Sequence, residues 1–197
     1  MKILVNLFHP QLEKSTVNRR WLSELERQNN ITINQLYGQY HDGIINVARE
    51  QQLLADHDRL IFQHPFLWYS VPALMKQWLD DVLTYGWAYG QGGTALQGKD
   101  WVSVISTGGP KESYQAGGFN NFSMSELLKP LQQTANLIGA NYLSPFLFHG
   151  CVQATSEQVD ASAAELIQHI TNPELDPKVR LKHLLSEMNE AGATMDH

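Results

Sequence analysis

The chain has 197 residues, of which 43% are hydrophobic and 17% charged, and its formal net charge is −6. That length suits one domain with a core large enough to fold unaided. The acidic balance and the absence of a basic stripe exclude long duplex nucleic acid as a partner, and no apolar run reaches the roughly 18 to 20 residues of a membrane span.

In chain order, residues 2–8 are a short apolar run without helical period, which predicts a buried strand. The run is too short and too interrupted by polar residues for a signal peptide. A loop with His9 and Pro10 follows. Val17, Trp21, Leu22 and Leu25 then recur at helical spacing, with Ser15 placed to cap that helix. Ile31, Ile33 and Leu36 alternate as a second strand should. Residues 58–64 predict a third strand, ending at His64-Pro65. The clearest helix comes next: Val71, Leu74, Met75, Trp78, Leu79, Val82 and Leu83 share one face, with Ser70 as cap and Pro72 in the first turn. Residues 101–106 predict a fourth strand. Ser123 with Glu126 matches a capping box, opening a helix to Ile138 that kinks or restarts at Pro130. Residues 142–148 predict a fifth strand, and Pro145 inside it marks a sheet edge. Thr155 with Gln158 is a second capping box, opening a helix that stops before Asn172-Pro173. Residues 178–189 predict one more amphipathic helix, and the last few residues are expected to fray.

Alternating strands and helices imply an α/β fold with a mostly parallel sheet and right-handed crossovers. Five strands in the order 2-1-3-4-5 put the fifth at an edge, in agreement with Pro145. In such open sheets, ligands bind beyond the carboxyl ends of the strands. The informative residues should therefore follow strands one, three and four.

Three loops stand there. The first runs from His9 to Asn18. Its helix start offers free N–H groups and a dipole to an anion. Ser15 and Thr16 add hydroxyls, Asn18 an amide, and His9 a charge-assisted contact. The second runs from His64 to Pro72. Trp68 and Tyr69 fall outside the apolar stripe of the next helix and offer flat walls to a planar ring. The third is Ser106-Thr107-Gly108-Gly109-Pro110, whose glycines let backbone donors come close to a ligand. Each loop has an ordinary reading, as an N-cap, an aromatic packing cluster or a tight turn. Their joint placement is what argues for a ligand.

Other chemistries lack their signatures. There is no G-x-S-x-G elbow, no P-loop and no G-x-G-x-x-G after the first strand. Gly90-Gln91-Gly92-Gly93 reads as a loop. The eight histidines show no ligand spacing, so no metal site is expected. Cys151 is the one cysteine, which excludes an intrachain disulfide and is compatible with a reducing cytoplasm. A lone cysteine is more often a small buried hydrophobe than a nucleophile.

Taken together, several segments resemble the NAD(P)H:quinone oxidoreductase family of flavodoxin-like flavoproteins. They are His9-Pro10 with Ser15 and Asn18, His64 to Pro72, Gly86-Trp87-Ala88-Tyr89-Gly90 through Gly93-Thr94-Ala95-Leu96, and Thr107-Gly108-Gly109. The likeness covers about residues 2–170 and points most closely to ancillary flavoprotein subunits of glutathione-gated potassium efflux systems. It implies a flavodoxin-like three-layer sandwich over residues 1–172, with 173–197 as a helical tail. It implies FMN, in preference to FAD, with NAD(P)H as hydride donor and a quinone as acceptor in a ping-pong exchange. His9 and Ser15, Thr16, Val17 and Asn18 would hold the flavin phosphate. Phe66, Leu67, Trp68 and Tyr69 would border the ring, and Ser106 to Gly109 would hold its pyrimidine edge. Tyr114 matches a tyrosine near the flavin, but the histidine expected a few residues on is missing from Gly117-Gly118-Phe119-Asn120-Asn121. The resemblance also implies a homodimer in which Trp87 and Tyr89 line a pocket completed by the second subunit. The rival readings are a regulatory subunit of a potassium efflux transporter, peripheral at the inner face of the membrane, and a one-electron carrier. The absence of a strongly acidic rim argues against the carrier.

Overall fold

The structure, a computed structural model, describes residues 1–190. The expected fraying of the last few residues lies outside them. β1 (Ile3–Leu7) is buried at all five positions, because parallel strands flank it on both sides. It pairs with β2 (Ile31–Gln35) and with β3 (Arg59–Pro65). β4 (Asp100–Ser106) continues the sheet, which runs β2-β1-β3-β4-β5 throughout in parallel. A central strand covered on both faces has no polar side to show, hence a β1 in which Asn6 is the single polar residue.

Helices cover both faces. On one, α1 (Thr16–Leu25) lies beside α7 (Ser156–Thr171). Trp21, wholly buried, donates its indole N–H to Ser162 Oγ at 2.9 Å and joins the two helices. Ile3, Val5, Ile61 and Val102 pack beneath them. The other face holds the short α2 (Leu36–Gln39), α3 (Val47–Ala55), α4 (Ala73–Val82), α5 (Met124–Leu127) and α6 (Lys129–Leu137). Phe62 stacks on Trp101 with ring centroids 3.9 Å apart, and Trp78 meets Phe62 edge-on. The expected three-layer flavodoxin-like sandwich and strand order are present. Both capping boxes form, and α6 restarts with Pro130 in its first turn. A last helix, α8 (Pro177–Glu190), ends the described chain.

Three local expectations are corrected, and one helix is additional. The fifth strand is two short pieces, β5 (Asn141–Tyr142) and β6 (Phe146–Phe148), both pairing with β4. Pro145 sits in the break, where it interrupts no ladder. Leu36 does not end β2 but opens α2, its side chain wholly buried against the α4 face. Ser70 does not cap α4: Pro72 is the N-cap residue, and Ser70 is held in a turn instead. Finally, α3 escaped the sequence reading altogether. Its Glu50 is wholly buried, where Asn34, Tyr40, Trp78 and Arg49 all donate to its carboxylate. A buried charge survives only with such a set of donors, and none of these partners is adjacent in sequence except Arg49.

Candidate functional site

Two cavities open beyond the carboxyl ends of β1, β3 and β4, and every residue of the three loops expected to hold the flavin, with Tyr114, lines one or both. The first, of about 320 Å³, is bounded by His9, Ser15, Thr16, Val17, Asn18, Leu67 and Ser106. The second, of about 520 Å³, is bounded by Trp68, Tyr69, Thr107, Gly109 and Tyr114. Phe66 and Gly108 belong to both, so the two spaces meet there. The strand ends are locked together at this point, Phe66 N–H donating to Ser106 O at 2.8 Å and Phe8 N–H to Gln63 O at 2.8 Å.

The first cavity is lined by groups that can donate hydrogen bonds to an anion. A 3-10 turn, Leu12–Lys14, carries the chain to α1. Ser15 caps that helix, accepting from Asn18 N–H at 3.1 Å. The N–H groups of Thr16 and Val17 then open the helix and have no partner within it. Ser15 Oγ also accepts from the Asn18 amide at 3.2 Å, which leaves the hydroxyl proton free to donate outward. Asn18 itself offers no free donor. Its amide nitrogen is also bound to Ser106 Oγ at 2.8 Å, and its oxygen accepts from Gln63 at 3.2 Å. It ties α1 to β3 and β4 and so positions Ser15. Val17 is buried, so only its backbone can serve a ligand. His9 Nδ1 accepts from Gln11 N–H at 3.2 Å, which leaves Nε2 to donate. Burial lowers the His9 pKa, with Glu13 opposing, so the ring is neutral at pH 7.

The second cavity is a slot between aromatic walls. Leu67 and Ser70 exchange backbone hydrogen bonds at 3.2 and 2.9 Å, closing a two-residue hairpin over Trp68 and Tyr69. Both central residues have positive φ, 49° and 59°. That geometry suits Asn-Gly, and each aromatic there costs about 1 kcal/mol or more. Trp68 is 93% exposed, so its own packing does not offset the strain; backbone strain of this kind gathers at ligand sites. Tyr69 Oη donates to Asn120 Oδ1 at 3.1 Å, joining the two sides of the mouth. Phe119 on that side is 89% exposed. On the floor, Tyr114 shares a 2.6 Å hydrogen bond with Thr107 Oγ1. A Cβ on Gly109 would stand 3.0 Å from the Tyr114 ring, so any larger residue would have to push Tyr114 aside. The N–H groups of Gly108 and Gly109 meet no backbone acceptor among the described residues.

Several lining residues escaped the sequence reading. Asn120, Phe119 and Ser113 face the slot, and Lys14, Cys151 and Val152 face the anion cavity. They lie in irregular segments whose path no local periodicity reveals. Burial raises the Cys151 pKa, which keeps it a neutral thiol. His149, at the end of β6, packs against Tyr114 with ring centroids 5.4 Å apart, although the segment after Tyr114 has no histidine. Trp87 and Tyr89 line neither cavity and pack against the edge of the α4-side core.

Comparison with known proteins agrees with this architecture. A family described as a flavodoxin-like fold matches residues 1–170. The chain is 45% identical over 194 residues to an uncharacterized NAD(P)H oxidoreductase, YdeQ, of Bacillus subtilis, covering 98% of each. It is 38% identical to the glutathione-regulated potassium-efflux ancillary protein KefG of Serratia proteamaculans, covering 87% of this chain and 94% of that one. Among solved structures it resembles general stress protein 14 of Treponema denticola in complex with FMN, with TM-score 0.82, 40% identity and 85% and 96% of the two chains covered. It also resembles an NADPH-quinone reductase from P. pentosaceus, with TM-score 0.80, 34% identity and 87% and 99% covered.

Proposed function

Since the chain belongs to the family of flavodoxin-like fold, we propose that it is an FMN-dependent NAD(P)H:quinone oxidoreductase working by ping-pong exchange of two electrons. The observation that carries this reading is the pair of joined cavities, one rich in anion donors and one walled by aromatic rings. The FMN complex of a 40% identical relative supports the choice of flavin, and the names of the oxidoreductase and quinone-reductase relatives support the donor and acceptor.

In this reading Thr16 and Val17 N–H, Ser15 Oγ–H and His9 Nε2–H hold the phosphate. Phe66, Trp68 and Tyr69 flank the ring, and Leu67 covers the chain that links ring to phosphate. Gly108 and Gly109 N–H donate to its carbonyl edge, with Ser106 and Thr107 fixing the strand end beneath them. Tyr114, anchored by Thr107, presents a hydroxyl near developing negative charge. Bound flavin supplies the capacity to take a hydride from NAD(P)H and pass two electrons on. The residues of the slot orient the two flat reactants in turn and keep water out. Cytoplasmic work and a homodimer belong to the same proposal, with Trp87 and Tyr89 meeting the second subunit.

A second reading, regulation of a potassium efflux transporter, rests on the KefG likeness. The protein would then work at the inner face of the membrane. No helix of the described residues is long and apolar enough to cross one, so attachment would be through the transporter.

The deciding experiment is the visible spectrum of the purified protein before and after anaerobic NADPH. A yellow protein that bleaches, with parallel initial-rate lines for NADPH against quinone, supports the enzyme. A protein that stays colourless after incubation with FMN or FAD overturns it. Co-purification with a transporter, and altered potassium efflux on deletion, would favour the regulator.

A further inference from the structure

Beside the ring slot lies a smaller, more enclosed cavity of about 150 Å³, between the start of α4 and the α5–α6 junction. Tyr69 walls both spaces. Val71, Leu79, Leu127, Leu128 and Leu131 supply most of the remaining lining. Ser70, Thr134 and Lys76 also reach it, with Ser70 and Lys76 exposed at its edge. The Thr134 hydroxyl donates to Pro130 O at 2.9 Å, and the Lys76 ammonium pairs with Asp80. The inner wall is therefore mostly hydrocarbon, with the polar groups at the edge, and favours an apolar occupant. At the roughly 30 Å³ a water occupies in the liquid, it has room for about five non-hydrogen atoms.

We propose that this cavity receives an alkyl substituent of about five carbons on the quinone reduced in the slot. The inference rests on the quinone-reductase reading and adds a specificity to it. Entry is past Tyr69, the wall that the two spaces share. Each methylene moved from water into the cavity favours the substituted quinone by about fourfold. The preference rises with chain length until the cavity is full.

The test is kcat/KM at saturating NADPH for 1,4-naphthoquinones bearing no chain, a five-carbon prenyl group, or a ten-carbon chain. We expect the five-carbon compound to exceed the bare ring by at least about tenfold, with little further gain at ten. Leu127 is half-buried at the cavity, so Leu127→Trp fills the space without displacing the core. It should erase the gain and leave the bare quinone within about twofold. Leu131→Ala enlarges the space and should move the optimum to a longer chain. Equal kcat/KM across the series overturns the inference and leaves the reductase standing. So does a Leu127→Trp protein that keeps its chain preference but changes oligomeric state, which would make the cavity a subunit contact. If NADPH bleaches the flavin but no quinone is reduced, the reductase reading fails and this inference falls with it.

Discussion

Trp68 and Tyr69 carry the most specific signal of any residues in the site, because their backbone is unfavourable for their side chains. Trp68→Asn should stabilise the apoprotein by about 1 kcal/mol, since the exposed indole gives up little packing. The same change should weaken FMN roughly fivefold through loss of a ring wall. Urea unfolding and fluorescence titration measure the two effects, and a variant that is both less stable and equally tight in binding would contradict the argument. Expected to make a charge-assisted contact, His9 stands in the fold as a neutral donor. Its pKa lies below the usual imidazole value because of burial. At pH 7 it therefore donates as a neutral ring, and His9→Ala should raise the FMN Kd about tenfold. Protonation below the usual imidazole range adds a full charge beside the phosphate, so the ratio of variant to wild-type Kd should grow as the pH is lowered from 7. A ratio flat with pH would remove His9 from the phosphate site.

At the scale of elements, the two ends of the sheet differ in what holds them. The pieces of the last strand are short, but Arg59, buried on β3, ties the end of α7 to the sheet. Its guanidinium donates to Ile170 O at 2.7 Å, to Asn172 O at 2.8 Å and to Asp100 at 3.0 Å. α8 has no such anchor. Leu181, Leu184, Leu185 and Met188 are all exposed on it, and the contact of His183 Nδ1 with Glu174 lies in solvent, where it contributes little. Deleting residues 177–197 should therefore lower the unfolding free energy by less than about 1 kcal/mol and leave FMN affinity within about twofold. A deletion that precipitates, or that loses flavin, would make α8 part of the domain and not a tail.

At the scale of the whole molecule, stability depends on pH through a histidine outside both ligand cavities. His64 on β3 is wholly buried, and its pKa is lowered to about 4 by desolvation. Nδ1 meets Pro65 O at 2.9 Å, while Nε2 has no partner among the described residues. The unfolded chain takes up its proton near pH 6.5 and the folded one near pH 4. Stability is thus full above pH 6.5 and falls by about 3 kcal/mol on acidification to pH 4. His64→Leu should show a shallower loss over that window in urea unfolding, and an identical slope would mean that His64 is already protonated or exposed in the fold.

Local sequence patterns were enough to read the layer order, the strand order and the three loops that stand at the carboxyl ends of β1, β3 and β4. Strand alternation, the helical stripe of α4 and the capping boxes at Ser123 and Thr155 are local patterns, imposed by backbone geometry within a few residues. Tertiary structure decided what depends on long-range partners. α3 is held by a buried Glu50 whose distant partners come from β2, the residue that follows α2, and α4. Asn18, expected to face the ligand, is drawn inward by Gln63 and Ser106. His149 reaches Tyr114 only because β6 pairs with β4 and ends beside it. Such contacts form when chain segments far apart in sequence meet across the sheet, and no spacing of residues encodes them locally.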